Sequence, residues 1–458
     1  MSRPIEAEML YRKLAEGRLP AGAEEVTAAR RGLALALAKI NRPAQVAEAL
    51  QLVALTRDEN GNVPDDKIAE DLDEQLVQAK VLGSIKHYRL QGKAITMLEA
   101  LHKKNVLLAE DQFLLARLQA QHDRTLWQKT RQLLKALTLN YPKNPRFLAF
   151  TAHMHIQHKE FPEAEQTIVR LEQLERERKI VGGGFGSIEL RAKALEMRGF
   201  GSQAVALLTT YAEQSEKGSA RRLLLGELHG RLGNFREAID LCDQVRQTGM
   251  NYNEANTAAL AILRGNKPSE AQPTKHEQWL QQRSRVEATL REALAREPAS
   301  IPLRLHMADV MEMHGKYQEV EKICREVLRN QDTNLVALNN LAWLLGLHAD
   351  TNPEALTLIN RAIDKHGQRP ELLDTRAVIL FQRGNVEESV RDLERVVNEA
   401  PTPARLFHLS QAYERAKNTK SALAVLRRAS EMGLSVQQLH PAEHTEYHRA
   451  IATLEKRL

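Results

Sequence analysis

Along this chain a small residue is followed four positions on by an apolar one and three further on by another, and the triplet returns every 33–36 residues wherever no loop intervenes. Five consecutive sets are Val286/Leu290/Ala293, Val320/Cys324/Val327, Ala355/Ile359/Ala362, Ser389/Leu393/Val396 and Ala422/Leu426/Ala429. Five earlier sets are Ala94/Leu98/Leu101, Thr130/Leu134/Leu137, Ala164/Ile168/Leu171, Ala204/Leu208/Tyr211 and Ala238/Cys242/Val245. Offsets of four and seven place all three members on one face of an α-helix. A period of this length marks one supersecondary unit stacked many times, which predicts an all-α solenoid rather than a globule.

Each unit is expected to open with another helix, carrying its own small residue about twelve positions before the triplet. Ala152 precedes Ala164, Ala192 precedes Ala204, Gly226 precedes Ala238, Ala308 precedes Val320, and Ala377 precedes Ser389. Small residues facing each other let two antiparallel helices approach toward the lower end of the usual ~8–10 Å spacing. Between the helices stand the pairs Arg198-Gly199, Gly233-Asn234, Gly315-Lys316 and Gly384-Asn385, which supply the positive φ that closes a helix. Pro142, Pro298 and Pro401 then stop the second helix of their units.

The run Leu225-Gly226-Glu227-Leu228-His229-Gly230-Arg231-Leu232-Gly233-Asn234-Phe235-Arg236-Glu237-Ala238 resembles the tetratricopeptide repeat, as do Leu341-Ala342-Trp343 and the set Tyr413/Ala422/Ala429. The likeness runs through nearly the whole chain in near-constant register. The stretch from Leu338-Asn339-Asn340-Leu341 to Arg376-Ala377 also resembles the C-terminal part of large bacterial tetratricopeptide proteins. The resemblance implies a right-handed superhelical solenoid of about eleven helix-turn-helix units with a C-terminal capping helix. It also implies a protein-interaction scaffold with no chemistry of its own.

Three departures from the period shape the expected organisation. Residues 1–20 hold a helix near Ile5–Leu19 with second-helix character (Ala7, Tyr11, Leu14) and no first helix before it. It is expected to cap the array, to continue a longer one, or to dock on something or on a second copy through this end. Residues 21–441 are read as the solenoid, irregular at 179–187 around the glycine run Gly182–Gly186 and at 265–275. The first irregularity is expected to be a connection, since no strand precedes it and the phosphate-cradling glycine spacing fails. The second reads as an exposed, proline-bearing loop. Residues 442–458 place Tyr447, Ile451, Leu454 and Leu458 on one face, as a terminal solvating helix should.

Composition narrows this little further. Charged residues make up 27% of the 458 and aromatics 4%, a balance suited to a thin helical array with much wetted surface. The net charge of +6 is small for this length, so it gives weak support to a nucleic-acid partner. Cys242 and Cys324 occupy the middle of buried triplets and read as core residues, which fits a reducing compartment. The chain meets acid before any apolar run and has no stretch long enough to span a bilayer. A cytoplasmic location without membrane attachment is therefore expected.

Catalytic motifs are absent: no H-E-x-x-H, P-loop, G-x-S-x-G or paired-cysteine spacing occurs. The cluster His153/His155/His158 lacks completing ligands. His440, His444 and His448 form an i, i+4, i+8 ladder beside the final helix and read as exposed histidines. No catalytic residue, metal or cofactor is expected. The acidic run Asp58–Glu74 and the basic stretch Arg124–Arg146 read as solvated faces, with docking as the sharper reading.

In tetratricopeptide arrays the first helices line the concave side, and the resemblance transfers their inward positions onto this chain. The ninth positions include Arg117, His153, Lys193, Glu227, Asp309 and Trp343; the fifth include Phe113, Asn339, Asp374 and Phe407. Asn339, Trp343 and Phe407 would offer an amide beside aromatic surface, the makings of a peptide anchor. For Trp343, packing into the neighbouring unit is the alternative. Asp374 stands where a chaperone-tail clamp would need a cation, so that partner is excluded. The expectation is a non-enzymatic scaffold binding a peptide or helix of a partner protein in this groove. The alternative is the interaction arm of a larger enzyme or assembly. Helical-repeat RNA binding has less behind it, because the inward positions include several acids and change from unit to unit.

Overall fold

The buried residues of the protein are the periodic ones. Every member of the ten triplets except Tyr211 is buried, and there the neighbouring Ala212 takes the covered place. The small residues of the first helices, Ala152, Ala192, Gly226, Ala308 and Ala377, are buried opposite them. The computed structural model describes residues 4–41, 43–56, 63–122, 126–178, 186–269, 271–348 and 351–455. Among these, all long elements are α-helices, and none is long and apolar enough to cross a membrane.

Two compact units divide the chain, one formed by Met1–Leu133 with Leu338–Leu458 and the other by Leu134–Ala337. The stretch 21–441 thus contributes to both. The N-terminal part of the first unit holds α1 (Pro4–Ala15), α2 (Ala23–Ile40), α3 (Pro43–Leu52), α4 (Leu72–Ser84), α5 (Tyr88–Lys103) and α6 (Ala109–His122). Helix α7 (Trp127–Asn140) carries the chain onward. The second unit contains α8 (Pro145–Gln157), α9 (Phe161–Arg178), α10 (Ser187–Met197), α11 (Gly201–Glu213), α12 (Ala220–Leu232), α13 (Phe235–Gln247), α14 (Tyr252–Gly265), α15 (Pro273–Arg296), α16 (Ile301–Met313) and α17 (Tyr317–Asn330). From α18 (Leu335–Gly346) the chain rejoins the first unit through α19 (Asn352–His366), α20 (Pro370–Gln382), α21 (Val386–Glu399), α22 (Pro403–Arg415), α23 (Thr419–Glu431) and α24 (His444–Glu455).

Local chemistry sets where these helices begin and end. Asp71 caps α4 by accepting from the Asp73 and Glu74 N–H groups at 3.0 and 2.9 Å, within the acidic run. Asn144 caps α8 in the same way, and Thr402 caps α22. Gly233 and Gly384 close α12 and α20 with φ of +84° and +82°, a region that disfavours a side chain. Equivalent turns after α5, α8 and α22 use Asn105, Lys159 and Lys417 at positive φ, so glycine spacing alone does not reveal them.

In the first unit the two sequence-distant parts pack together: α5 lies against α21, and the Arg428 guanidinium sits 5.0 Å above the Tyr88 ring. Tyr88 is in turn stacked on His122 at 3.9 Å. The N-terminal helix ends at Ala15, earlier than expected, and packs on α2, where the Tyr11 ring covers Gly32 so closely that a Cβ would lie 2.8 Å from it. Arg12 ties it to Glu48 of α3 at 2.7 Å, while Ile5, Met9 and Leu10 stay exposed.

Two expectations need correction. The irregularity at 265–275 is only partly a loop, because α15 begins at Pro273 and extends to 24 residues. Its added turns are anchored by Trp279, which is 1% exposed and donates its Nε1–H to the Leu263 carbonyl at 2.8 Å. The solvating helix starts at His444, after 3-10 turns at Val436–Gln438 and Pro441–Glu443. His440 therefore precedes the helix, caps a turn by accepting from the Ala442 N–H, and forms no ladder with His444 and His448. Tyr447 and Ile451 share one face of this helix, as expected, and that face packs on Phe407; Gly182–Phe185, Asp58, Arg124 and Leu458 lie outside the described residues, as does the Leu454 side chain.

Candidate protein-interaction surface

In the second unit, three successive first helices line one cavity of about 200 Å³, which brings together two sequence-predicted positions, His153 and Lys193. His153 comes from α8, Glu189, Lys193 and Glu196 from α10, and Leu224, Leu228 and Arg231 from α12. Leu190 and Leu208 close the floor, and both belong to the packed cores between these helices. The result is an apolar floor with a charged rim.

The rim is internally ordered. Burial works against the Glu196 charge, but Arg231 at 2.7 Å and Lys193 at 3.3 Å outweigh it and hold the carboxyl below its ordinary range. Burial raises Glu189, with the nearby Glu175 adding to it. Burial and the Lys193 charge both lower His153, so its imidazole is neutral near pH 7. Binding pockets for small molecules usually span ~300–1,000 Å³. At about 200 Å³, this one suits a single large apolar side chain with polar groups around its neck.

None of the remaining candidate positions lines this cavity. Arg117 and Glu227 are exposed on α6 and α12. Asp309 is half-buried and held by Arg264 at 2.8 Å. In the first unit, Asn339 accepts from the Thr375 hydroxyl at 2.9 Å. Phe113 and Phe407 are corrections, being 5% and 1% exposed and so unable to serve as open groove surface. Phe407 is covered because α24 docks on it, packing Tyr447, Ala450 and Ile451 against the same cluster.

Asp374 is likewise committed. It receives His408 Nδ1 at 2.7 Å, while His408 Nε2 stands 2.9 Å from Glu443 and Arg405 lies 3.7 Å from the same aspartate. Burial alone would push the His408 imidazole down, but the two carboxylates outweigh it and raise it to about 10. Trp343 is half-buried with its ring 6.2 Å from His408 and 6.0 Å from His440, a neighbour-packing position at the base of the C-terminal cap. These groups form an ion-paired junction between the last repeats and the cap. Sequence reasoning missed His408 and Glu443; the spacing of 34 between Asp374 and His408, one repeat period, was the available signal.

Among the described residues, no cluster of three His, Cys, Asp or Glu side chains could hold a metal ion. Burial pushes the Cys242 and Cys324 thiols up to about 12, which marks them as packing residues rather than nucleophiles.

No known family's profile matches the chain, and no curated protein matches it in sequence. Solved structures do show likeness. A tetratricopeptide repeat protein from Parabacteroides merdae is 14% identical, with 62% of this chain and 98% of that one covered at a TM-score of 0.35. A thermophilic tetratricopeptide protein from Thermus thermophilus is 16% identical, covering 38% of this chain and 92% of its own at 0.33. MamA of Desulfovibrio magneticus, from residue 41 to its end, is 15% identical, covering 33% and 85% at 0.30. This chain's own helices and buried register carry the repeat directly. By these, the chain is a tetratricopeptide-like helical-repeat protein.

Proposed function

We propose that this protein is an interaction scaffold whose second unit takes an extended peptide or helix of a partner protein across the first helices α8, α10 and α12. The observation that carries the reading is the cavity where His153, Lys193 and Glu189 meet above an apolar floor. A large apolar side chain would fill it, and the flanking backbone would find Lys193, Glu196 and Arg231 at the rim. Buried anchors of this kind dominate peptide affinity, with the rim contributing register and selectivity. A partner segment with one large apolar residue flanked by polar ones suits a rim in which two cations balance two carboxylates.

The test is affinity capture from native lysate, with nuclease and at two salt concentrations, comparing the wild-type protein with a Lys193→Glu/Arg231→Glu variant whose helicity is verified by circular dichroism. The expected result is a stoichiometric protein that resists nuclease and is lost in the variant. Recovery of nuclease-sensitive, salt-labile material alone would favour RNA binding instead. A protein retained equally by the variant would move the interaction away from this cavity.

A further inference from the structure

Within the first unit, a cleft of about 530 Å³ opens where the ends of α2 and α21 approach the starts of α5 and α20. This volume falls inside the ~300–1,000 Å³ range of small-ligand sites. Helix beginnings (α3, α5, α20 and α22) and helix ends (α2, α4, α19 and α21) border it in equal number, so their opposed partial charges largely offset one another and the side chains decide its field.

Those side chains are mostly cationic. Lys39 and Lys86 stand on one wall, and Arg369, Arg395 and Arg405 on the other, against the carboxylates of Glu371 and Glu399. Five cations face two carboxylates in the lining, and since Arg405 also pairs with Asp374 at 3.7 Å, two positive charges remain unbalanced in the concavity. The carboxylates are already used locally: Glu371 holds Arg369 at 2.5 Å and Glu399 holds Arg395 at 3.1 Å. Arg405 is held in place by donating to the Ala400 carbonyl at 2.9 Å. Among the described residues, the side chains of Lys39 and Lys86 have no ion-pair or hydrogen-bond partner, and both are exposed. The Lys86 backbone is nevertheless fixed, its N–H donating to the Asn41 side chain at 2.8 Å.

We propose that this cleft binds a compact polyanion carrying two or more phosphoryl groups. A single carboxylate would neutralise one charge and reach one wall. Two or more linked phosphoryl groups span both, meeting the lysines as point charges and the arginine guanidiniums as bidentate forks. Because one wall comes from the N-terminal helices and the other from the C-terminal ones, the bound anion ties the two sequence-distant parts of the unit together. Binding would therefore stabilise the folded state by mass action. This site is separate from the cavity proposed above, and its fate does not depend on that reading.

The experiment is isothermal titration of the full chain with inorganic tripolyphosphate and pyrophosphate, with citrate and sulfate at matched ionic strength as comparisons. The Lys39→Ala/Lys86→Ala variant is run beside it; both lysines are exposed, and circular dichroism verifies its fold. The expected result is saturable one-to-one binding of tripolyphosphate that weakens at least about tenfold in the variant, a loss of ~1.4 kcal/mol. Affinity should also fall steeply with salt. Absence of saturable binding would overturn the proposal, as would equal affinity for sulfate or an unchanged affinity in the variant.

Discussion

Gly346, the last residue of α18, offers a direct test of how closely consecutive first helices pack. A Cβ added there would lie 2.5 Å from Ile379 Cγ1 on α20 and within 3.6 Å of its Cδ1 and Cβ. Ile379 is fully buried, and a β-branched side chain in a helix has essentially one χ1 rotamer, so it cannot swing aside. The backbones are also pinned, since buried Asn352 donates to the Gly346 carbonyl at 3.1 Å and to the Ile379 carbonyl at 3.4 Å. Gly346→Ala therefore sets an overpacking cost of ~1–3 kcal/mol against a helix-propensity gain below ~1 kcal/mol at a helix end. Ile379→Ala alone opens a cavity and should cost ~2–5 kcal/mol. In the double variant the new Cβ enters space that Cγ1 has vacated, so the combined loss should fall short of the sum by ~1–2 kcal/mol. Guanidinium denaturation provides the cycle, and native-state hydrogen exchange at α18 and α20 localises it, because repeat arrays can unfold in steps. Additivity within ~0.5 kcal/mol would refute the close approach.

Three further outcomes are expected. His408 has its imidazole raised to about 10 by Asp374 and Glu443, above the 6.5 of a free histidine. The stability it contributes is thus complete below pH 6.5 and is lost as pH rises toward 10. Denaturation at pH 6 and 9.5 should show a decline of a few kcal/mol that His408→Gln flattens. Phe407→Ala should cost ~3–5 kcal/mol and loosen α24, seen as faster limited proteolysis near Leu439–Glu443. Both cysteines should resist a thiol reagent at pH 7.5 in the native protein and react fully once it is denatured, since burial lifts their thiols to about 12. Rapid native labelling would contradict their core placement.

Much of the fold was legible because its determinants repeat. The triplets, the opposing small residues and the turn glycines recur at one period, so each occurrence supports the others. Trp279 was legible in principle: it precedes Val286 by seven and so extends the same helix face, but the spacing of 48 between Ala238 and Val286 suggested a loop. The inward positions were less legible. Whether a first-helix residue is open depends on what docks against it, and nothing near Phe407 in sequence announces that α24 will cover it. Asp374 looked like a groove acid because its cation, His408, lies one repeat away and Glu443 lies in an irregular turn. His153 and Lys193 did converge, since they sit on neighbouring first helices of one unit with apolar floor residues between them. The cationic cleft was illegible, as it requires residues near 40 and 86 to meet residues near 370, 395 and 405.

The most direct test of the account is site-specific photo-crosslinking in native extract, with the reactive residue placed at Lys193 in one protein and at Arg236 in another. Lys193 lines the cavity of the second unit, whereas Arg236 is exposed on the second helix α13. The account predicts one discrete protein adduct from position 193 and none of that mass from position 236. The same adduct from both positions, or from 236 alone, would contradict the proposal that partners enter along the first helices.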